Sequence, residues 1–253
     1  MKAIIIAAGS GKRISKDVKD LPKSLLTVNG EPIIAYQIQT LKQVGINNII
    51  VITGIHDEKF EIGNVHYIKD HYYNEHDILG SLMEAKGFLK NDVLVLYSDI
   101  IFESKILRQI LDSKGDISIA IDMDWEKMYE GRTEHPKSEA ENVQLNKAKK
   151  IIKIKKNIKN ENNDVGEFLG IIKFSSYGSE IFIKQYEELI KTHVGTFQQS
   201  SSILKAYLTD MIQELVDSQI DIEPVIISGK WCEIDTMQDL KKAEKIFRAN
   251  HAR

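Results

Sequence analysis

The 253-residue chain is 42% hydrophobic and 28% charged, enough to build a sizeable core within one α/β domain. Its formal net charge of −3 gives no global attraction to nucleic acid or to an anionic membrane, so any basic site must be local. The single cysteine, Cys232, excludes an internal disulfide and a cysteine-based zinc cluster; no apolar run is long enough to span a bilayer, and without a basic-then-apolar secretion signal the chain is expected in the cytoplasm.

Along the first half, apolar runs alternate with helix-period stretches, which predicts an α/β fold with a Rossmann-like, mostly parallel mixed sheet flanked by helices. Strands are expected over residues 2–7, 48–53, 65–68, 93–97 and 117–121. A helix is expected over 32–44, where Ile34, Ile38 and Leu41 share a face, Pro32 suits the first turn and Gly45 the C-cap. Residues 142–174 read as short alternating strands, including 151–155 and 168–174, joined by a polar turn at 160–164, so a small β-rich insertion is placed at about 124–175 of a single 1–253 domain. Helices over 179–191 and 202–217, a strand over 224–228 and a terminal helix after Thr236 complete the chain.

The sequence Ala7-Ala8-Gly9-Ser10-Gly11-Lys12-Arg13 follows the apolar Ile4-Ile5-Ile6, and Leu21-Pro22-Lys23 comes soon after. Small residues let backbone N–H groups close on phosphate oxygens while Arg13 and Lys23 supply fixed positive charge, an arrangement suited to a nucleoside triphosphate. The dinucleotide fingerprint fails because Ile14 takes its third glycine position. The P-loop pattern fails because Arg13 follows Gly11-Lys12 and Ile6 takes its first glycine position. Asp99, just past the apolar run 93–97, stands where open α/β sheets bind ligands. Glu233 and Asp235, two apart in an extended segment, point to one face; each acid taken singly also suits a cap. His71 and His76 are five apart, outside the helical spacing for a shared zinc ion.

With Lys23-Ser24-Leu25-Leu26-Thr27-Val28-Asn29-Gly30-Glu31-Pro32-Ile33-Ile34 in register, the loop resembles the A-A-G-x-G-x-R…P-K signature of the nucleotidyltransferase superfamily, with Glu31 where a lysine is common. The resemblance implies catalytic roles for Arg13 and Lys23 and nucleotide contacts from Ala7, Ala8, Gly9, Ser10, Gly11 and Lys12. It also implies Mg²⁺ held by Asp99 and Asp235, with Glu233 supporting or sharing that role; hard oxygen ligands and a triphosphate favour this ion. Residues 124–141, 166–170 and 207–213 are similar to CTP-dependent cytidylyltransferases acting on L-glutamine phosphate, 2-aminoethylphosphonate and phosphocholine. That likeness makes the β insertion the acceptor side. It implies CMP transfer from CTP to a small phosphorylated nitrogenous metabolite, best L-glutamine phosphate for capsule phosphoramidate modification, and a homodimer. A sugar-1-phosphate nucleotidyltransferase and a nucleotide-binding regulatory protein are the alternatives.

Gly80 and Ser81 are candidates for reading the base, Ser81 equally an ordinary helix-start residue. For the acceptor, Glu167, Tyr129 and Trp125 offer negative charge and aromatic faces to an ammonium group, the two aromatics equally suiting structural packing. Lys156 matches a family lysine for the acceptor phosphoryl group, with Arg132 and Lys173 as further candidates. Seven lysines between Lys147 and Lys159 lack the base-stacking or groove-reading elements of a nucleic-acid site and read as a solvated strand face.

Overall fold

Runs of β-branched residues set the centre of the sheet, because their stiff side chains pack well on a pleated surface covered on both faces. The computed structural model describes residues 1–9, 21–162 and 164–248. Its first half runs β1 (Lys2–Ala7), β2 (Thr27–Val28), β3 (Glu31–Pro32), α1 (Ile33–Gln43), β4 (Ile49–Thr53), β5 (His66–Lys69), α2 (Ile78–Glu84), β6 (Val93–Tyr97), β7 (Ile100–Phe102), α3 (Ser104–Leu111) and β8 (Ile117–Asp122). The second half runs β9 (Glu141–Leu145), β10 (Ile151–Lys156), β11 (Val165–Phe174), α4 (Ser176–Thr192), α5 (Leu208–Asp217), β12 (Glu223–Ile226), β13 (Trp231–Glu233) and α6 (Met237–Ile246).

Nine strands form the main sheet in the order β10-β9-β11-β6-β1-β4-β5, with β8 also on β11 and β12 on β8. The stretch β6-β1-β4-β5 is parallel, whereas β11 runs antiparallel to β6, β8 and β9. The expected insertion strands therefore extend the main sheet through the long β11. Successive residues of β1 serve opposite layers: Ile4 and Ile6 pack with Leu79, Leu82 and Phe174, and Ala3, Ile5 and Ala7 with Ile34, Ile38 and Leu41. No described helix is long and apolar enough to cross a membrane.

Three expected helices change at their starts, α4 beginning three residues early at Ser176. Pro32 ends β3 and caps α1 instead of entering its first turn. The expected 202–217 helix splits into a short turn at Ile203–Lys205 and α5, because Asp210, buried, gathers Tyr207 N–H at 2.8 Å, Ser200 Oγ at 2.7 Å and Gln199 N–H at 3.0 Å. By accepting the Tyr207 N–H, the Asp210 carboxylate holds that residue extended as the N-cap of α5.

A small ladder decides where the acids meet. β13 pairs antiparallel with β7, setting Glu233 opposite Ile100, and Ile234 N–H donates to Asp99 O at 2.8 Å. Leu26, Val28, Ile101, Cys232, Ile234 and Ala243 form the apolar patch beneath, which draws the Lys23 turn to the same place.

Candidate active site

A cleft of about 510 Å³ opens at the carboxyl ends of the parallel strands, where such sheets gather ligands. Ala7, Ala8 and Gly9 leave β1 along one wall, and Tyr97, Ser98 and Asp99 leave β6 beside them. Ser10, Gly11, Lys12 and Arg13 lie outside the described residues.

Lys23 sits on the floor of the cleft. Its Nζ donates to Asp99 Oδ2 at 2.8 Å and to Asp235 Oδ1 at 2.6 Å. Burial works against the ammonium, but Asp99, Asp235 and Glu233 outweigh it and hold Lys23 above the usual lysine value. Burial, with Asp235 and Asp99 nearby, pushes the Glu233 carboxyl well above the usual range.

The segment carrying Asp235 is locked from behind. Thr236 caps α6 with its hydroxyl, while Asp239 Oδ2 accepts Asp235 N–H at 3.1 Å and Thr236 N–H at 2.9 Å. Arg132 Nε stands 2.7 Å from Asp239 Oδ1, its guanidinium lies 4.6 Å from the Tyr129 ring centroid, and one nitrogen is 3.7 Å from Glu233. Arg132, expected at the acceptor, is thus buried behind the acids.

His135 joins this group, with Nδ1 3.2 Å from Asp235 Oδ2. Burial lowers its pKa even though Asp235 pulls the other way, so the ring is favoured as neutral. One potential ligand atom from each of His135, Glu233 and Asp235 lies within 4.8 Å of the others. With Asp99 across Lys23, this oxygen-rich set suits a hard divalent cation. Nothing in the spacing around His135 marks it; only folding brings it to the acids.

A further wall is made by α2 and the turn before it. Asp70, fully buried after β5, accepts Ser81 Oγ–H at 2.8 Å and Tyr72 N–H at 2.9 Å and stands 3.2 Å from His76 Nε2. Ser81 lines the cleft, but its hydroxyl proton is committed to Asp70. Gly80 packs against His76, where a Cβ would strike the ring.

The other acceptor candidates separate. Trp125 and Tyr129 are buried with Ala140 in a small cluster, their polar tips donating to Val165 O at 3.1 Å and Glu167 Oε1 at 2.6 Å. They pack as structure and are not among the residues that line the cleft. Glu167 is buried with them, and that burial pushes its carboxyl up to about 8. Lys173 is corrected outright: it sits opposite Leu94 near the other end of β6, buried, and donates to Ser113 O and Ser113 Oγ. Lys156 does come to the cleft's edge, with Nζ 5.3 Å from the ring centroid of Tyr207, which lines the cleft, and 3.0 Å from Glu139 Oε2. Tyr97 and Tyr207, absent from the expected set, line the adjoining wall, and Tyr97 OH donates to Glu141 Oε2 at 3.2 Å.

Residues 3–252 match the MobA-like NTP transferase domain. The chain is 28% identical over 254 residues to a CTP:phosphoglutamine cytidylyltransferase of Campylobacter jejuni, covering 95% of this chain and 98% of that one. It is 36% identical over 113 residues to a choline-phosphate cytidylyltransferase of Streptococcus pneumoniae, covering 41% and 47% of the two chains. A solved structure of the CTP:phosphocholine cytidylyltransferase from Streptococcus pneumoniae shares the fold, with a TM-score of 0.70 at 23% identity over 97% of this chain and 98% of that one. With the cleft at the carboxyl ends of its parallel strands, this chain is a nucleotidyltransferase and belongs to the MobA-like NTP transferase family.

Proposed function

We propose that this protein is a cytidylyltransferase that moves CMP from CTP to a small phosphorylated, nitrogen-bearing metabolite and releases pyrophosphate. Its preferred acceptor in this reading is L-glutamine phosphate, giving CDP-L-glutamine for capsule phosphoramidate modification. The full-length likeness to the Campylobacter jejuni enzyme supports that choice. The observation that carries the reaction class is the Lys23 ammonium set between Asp99 and Asp235 at the floor of the cleft.

The chemistry is an in-line displacement. An oxygen of the acceptor's phosphoryl group forms a bond to the α-phosphorus of CTP as the bond to the pyrophosphate oxygen breaks, the electron pair leaving with pyrophosphate. The acceptor oxygen is ionised at neutral pH, so no protein nucleophile or general base is required. Lys23, with Arg13 from the glycine loop, neutralises charge that builds on the phosphates, and the walls hold the two reactants in line. Mg²⁺, when bound by Asp99 and Asp235 with Glu233 beside them, supplies further charge neutralisation and orients the triphosphate. Ala7, Ala8 and Gly9 offer backbone to the nucleotide, and the α2 wall beyond them faces the base.

The test is pyrophosphate release with Mg²⁺ and CTP against L-glutamine phosphate, phosphocholine, 2-aminoethylphosphonate and a hexose 1-phosphate. Release with CTP and L-glutamine phosphate is expected. Silence with CTP across the panel, together with release from another nucleotide and the sugar phosphate, overturns the reading in favour of a sugar nucleotidyltransferase.

A further inference from the structure

We propose that Lys205 binds a phosphoryl group in the cleft. The proposal rests on the cytidylyltransferase reading and adds to it a substrate-binding cation at a position that none of the sequence motifs marks.

Charge sets the requirement. CTP and a phosphorylated acceptor are both polyanions, yet the carboxylates of Asp77, Asp99 and Asp235 line the cleft that must take them. Among the described residues lining it, Lys23 and Lys205 carry the only ammonium groups. Lys23 is already held by Asp99 and Asp235 at 2.8 and 2.6 Å. Lys156, at the cleft's edge, is held 3.0 Å from Glu139. Lys205 pairs with no carboxylate among the described residues; its Nζ donates instead to a neutral group, Asn74 O, across 3.3 Å.

The backbone beneath Lys205 is fixed while its side chain is not. Asp77 N–H donates to Leu204 O at 2.9 Å and Leu79 N–H to Ala206 O at 3.2 Å, which ties the Ile203–Lys205 turn to the start of α2. Ile203 and Ala206 are buried in the same core layer as Leu79 and Leu82. The half-buried lysine therefore rises from a rigid base into the cleft, restrained by one long bond that an anion can displace. A phosphate oxygen arriving there gains a charge-assisted hydrogen bond, and the ammonium gives up only a weak one to a neutral carbonyl. Lys23 on the floor and Lys205 on the wall then answer the phosphate charge from two sides.

The experiment is calorimetric binding, without turnover, to wild type, Lys205→Met and Lys205→Arg. The ligands, each added singly with Mg²⁺, are CTP, CMP, cytidine, inorganic pyrophosphate, L-glutamine phosphate and phosphocholine. Lys205→Met is expected to bind at least one phosphate-bearing ligand about tenfold or more weakly, with cytidine unchanged and Lys205→Arg recovering much of the affinity. Loss for CTP and pyrophosphate but not CMP assigns Lys205 to the leaving phosphates, and loss for CTP and CMP together to the α-phosphate. Loss confined to L-glutamine phosphate or phosphocholine assigns it to the acceptor. The KM for the same reactant should rise in pyrophosphate release. Equal affinities of wild type and Lys205→Met for every phosphate-bearing ligand overturn the assignment. An equal loss for cytidine also overturns it, because the wall itself would then have moved. If wild type binds and turns over another nucleotide but not CTP, the cytidylyltransferase reading alone fails, and the same comparison made with that nucleotide still decides for or against Lys205.

Discussion

Asp99 and Asp235 grip one ammonium group, that of Lys23, at 2.8 and 2.6 Å, although one follows β6 and the other β13. The β7–β13 ladder and the bond from Ile234 N–H to Asp99 O make that meeting a consequence of backbone pairing. Because the acids are positioned by backbone, removing one side chain should spare the fold. Asp99→Asn is expected to lose roughly hundredfold or more in turnover while its melting temperature stays near wild type. Pyrophosphate release and a thermal melt check both halves, and undiminished turnover would end the assignment of Asp99 to the phosphate chemistry.

Lys23 occupies ground that a divalent cation would share. Lys23→Met should cost roughly hundredfold in turnover, the size seen when one charge-stabilising donor is lost. It should also bind Mn²⁺ more tightly than wild type when no nucleotide is present, because an ammonium no longer competes for the two carboxylates. Paramagnetic resonance of free Mn²⁺ measures this without turnover. Equal affinity in the two proteins would show that the lysine and the ion do not compete.

The parallel half of the sheet was legible because hydrophobic runs ending in turn residues report strands directly: residues 93–97 and 2–7 emerge with the expected bounds. Asp99 was legible from its place after an apolar strand, but only the resemblance to nucleotidyltransferases joined it to Glu233 and Asp235 as a set. The acceptor wall was not. Trp125 and Tyr129 carry the composition of an ammonium site, yet their polar tips find partners within the interior, and composition cannot tell a buried ring from a cleft-facing one. His135 meets Asp235 through a loop and Glu141 meets Tyr97 through strand register, neither with a local periodicity to announce it. The short strands β7 and β13, three residues each, fall below what alternation can reveal, although they carry the ladder that assembles the acids.

Glu167 supplies a pH test of the buried cluster. Burial raises its carboxyl from the ordinary 4.5 to about 8. Between those values the unfolded chain has released this proton and the folded one keeps it, so folding takes up a proton and stability falls as pH rises. The contribution is fully present below the unfolded value and is lost as pH climbs through the folded one. Glu167→Gln keeps an acceptor for Tyr129 and has no proton to lose. Its melting temperature relative to wild type should therefore rise by about 3 °C or more between pH 5 and pH 8. A difference that stays flat across that range would mean Glu167 ionises normally.

Gly170 links the sheet to the cleft wall that carries Tyr97. It lies where β11 shifts register against β8, with φ +67°, and a Cβ there would strike the Tyr97 ring. Left-handed backbone and a close ring contact both select glycine. Gly170→Ala should therefore cost about 1–3 kcal/mol of stability and displace Tyr97, weakening the hydroxyl's hold on Glu141. The kinetic signature is a lowered kcat/KM for pyrophosphate release, because Tyr97 lines the cleft. Gly195→Ala is the control: its φ is +93°, but nothing stands within 4 Å of the added methyl. It should lose stability through backbone strain alone and leave kcat/KM in place. If Gly170→Ala behaves the same way, the placement of Tyr97 does not govern turnover.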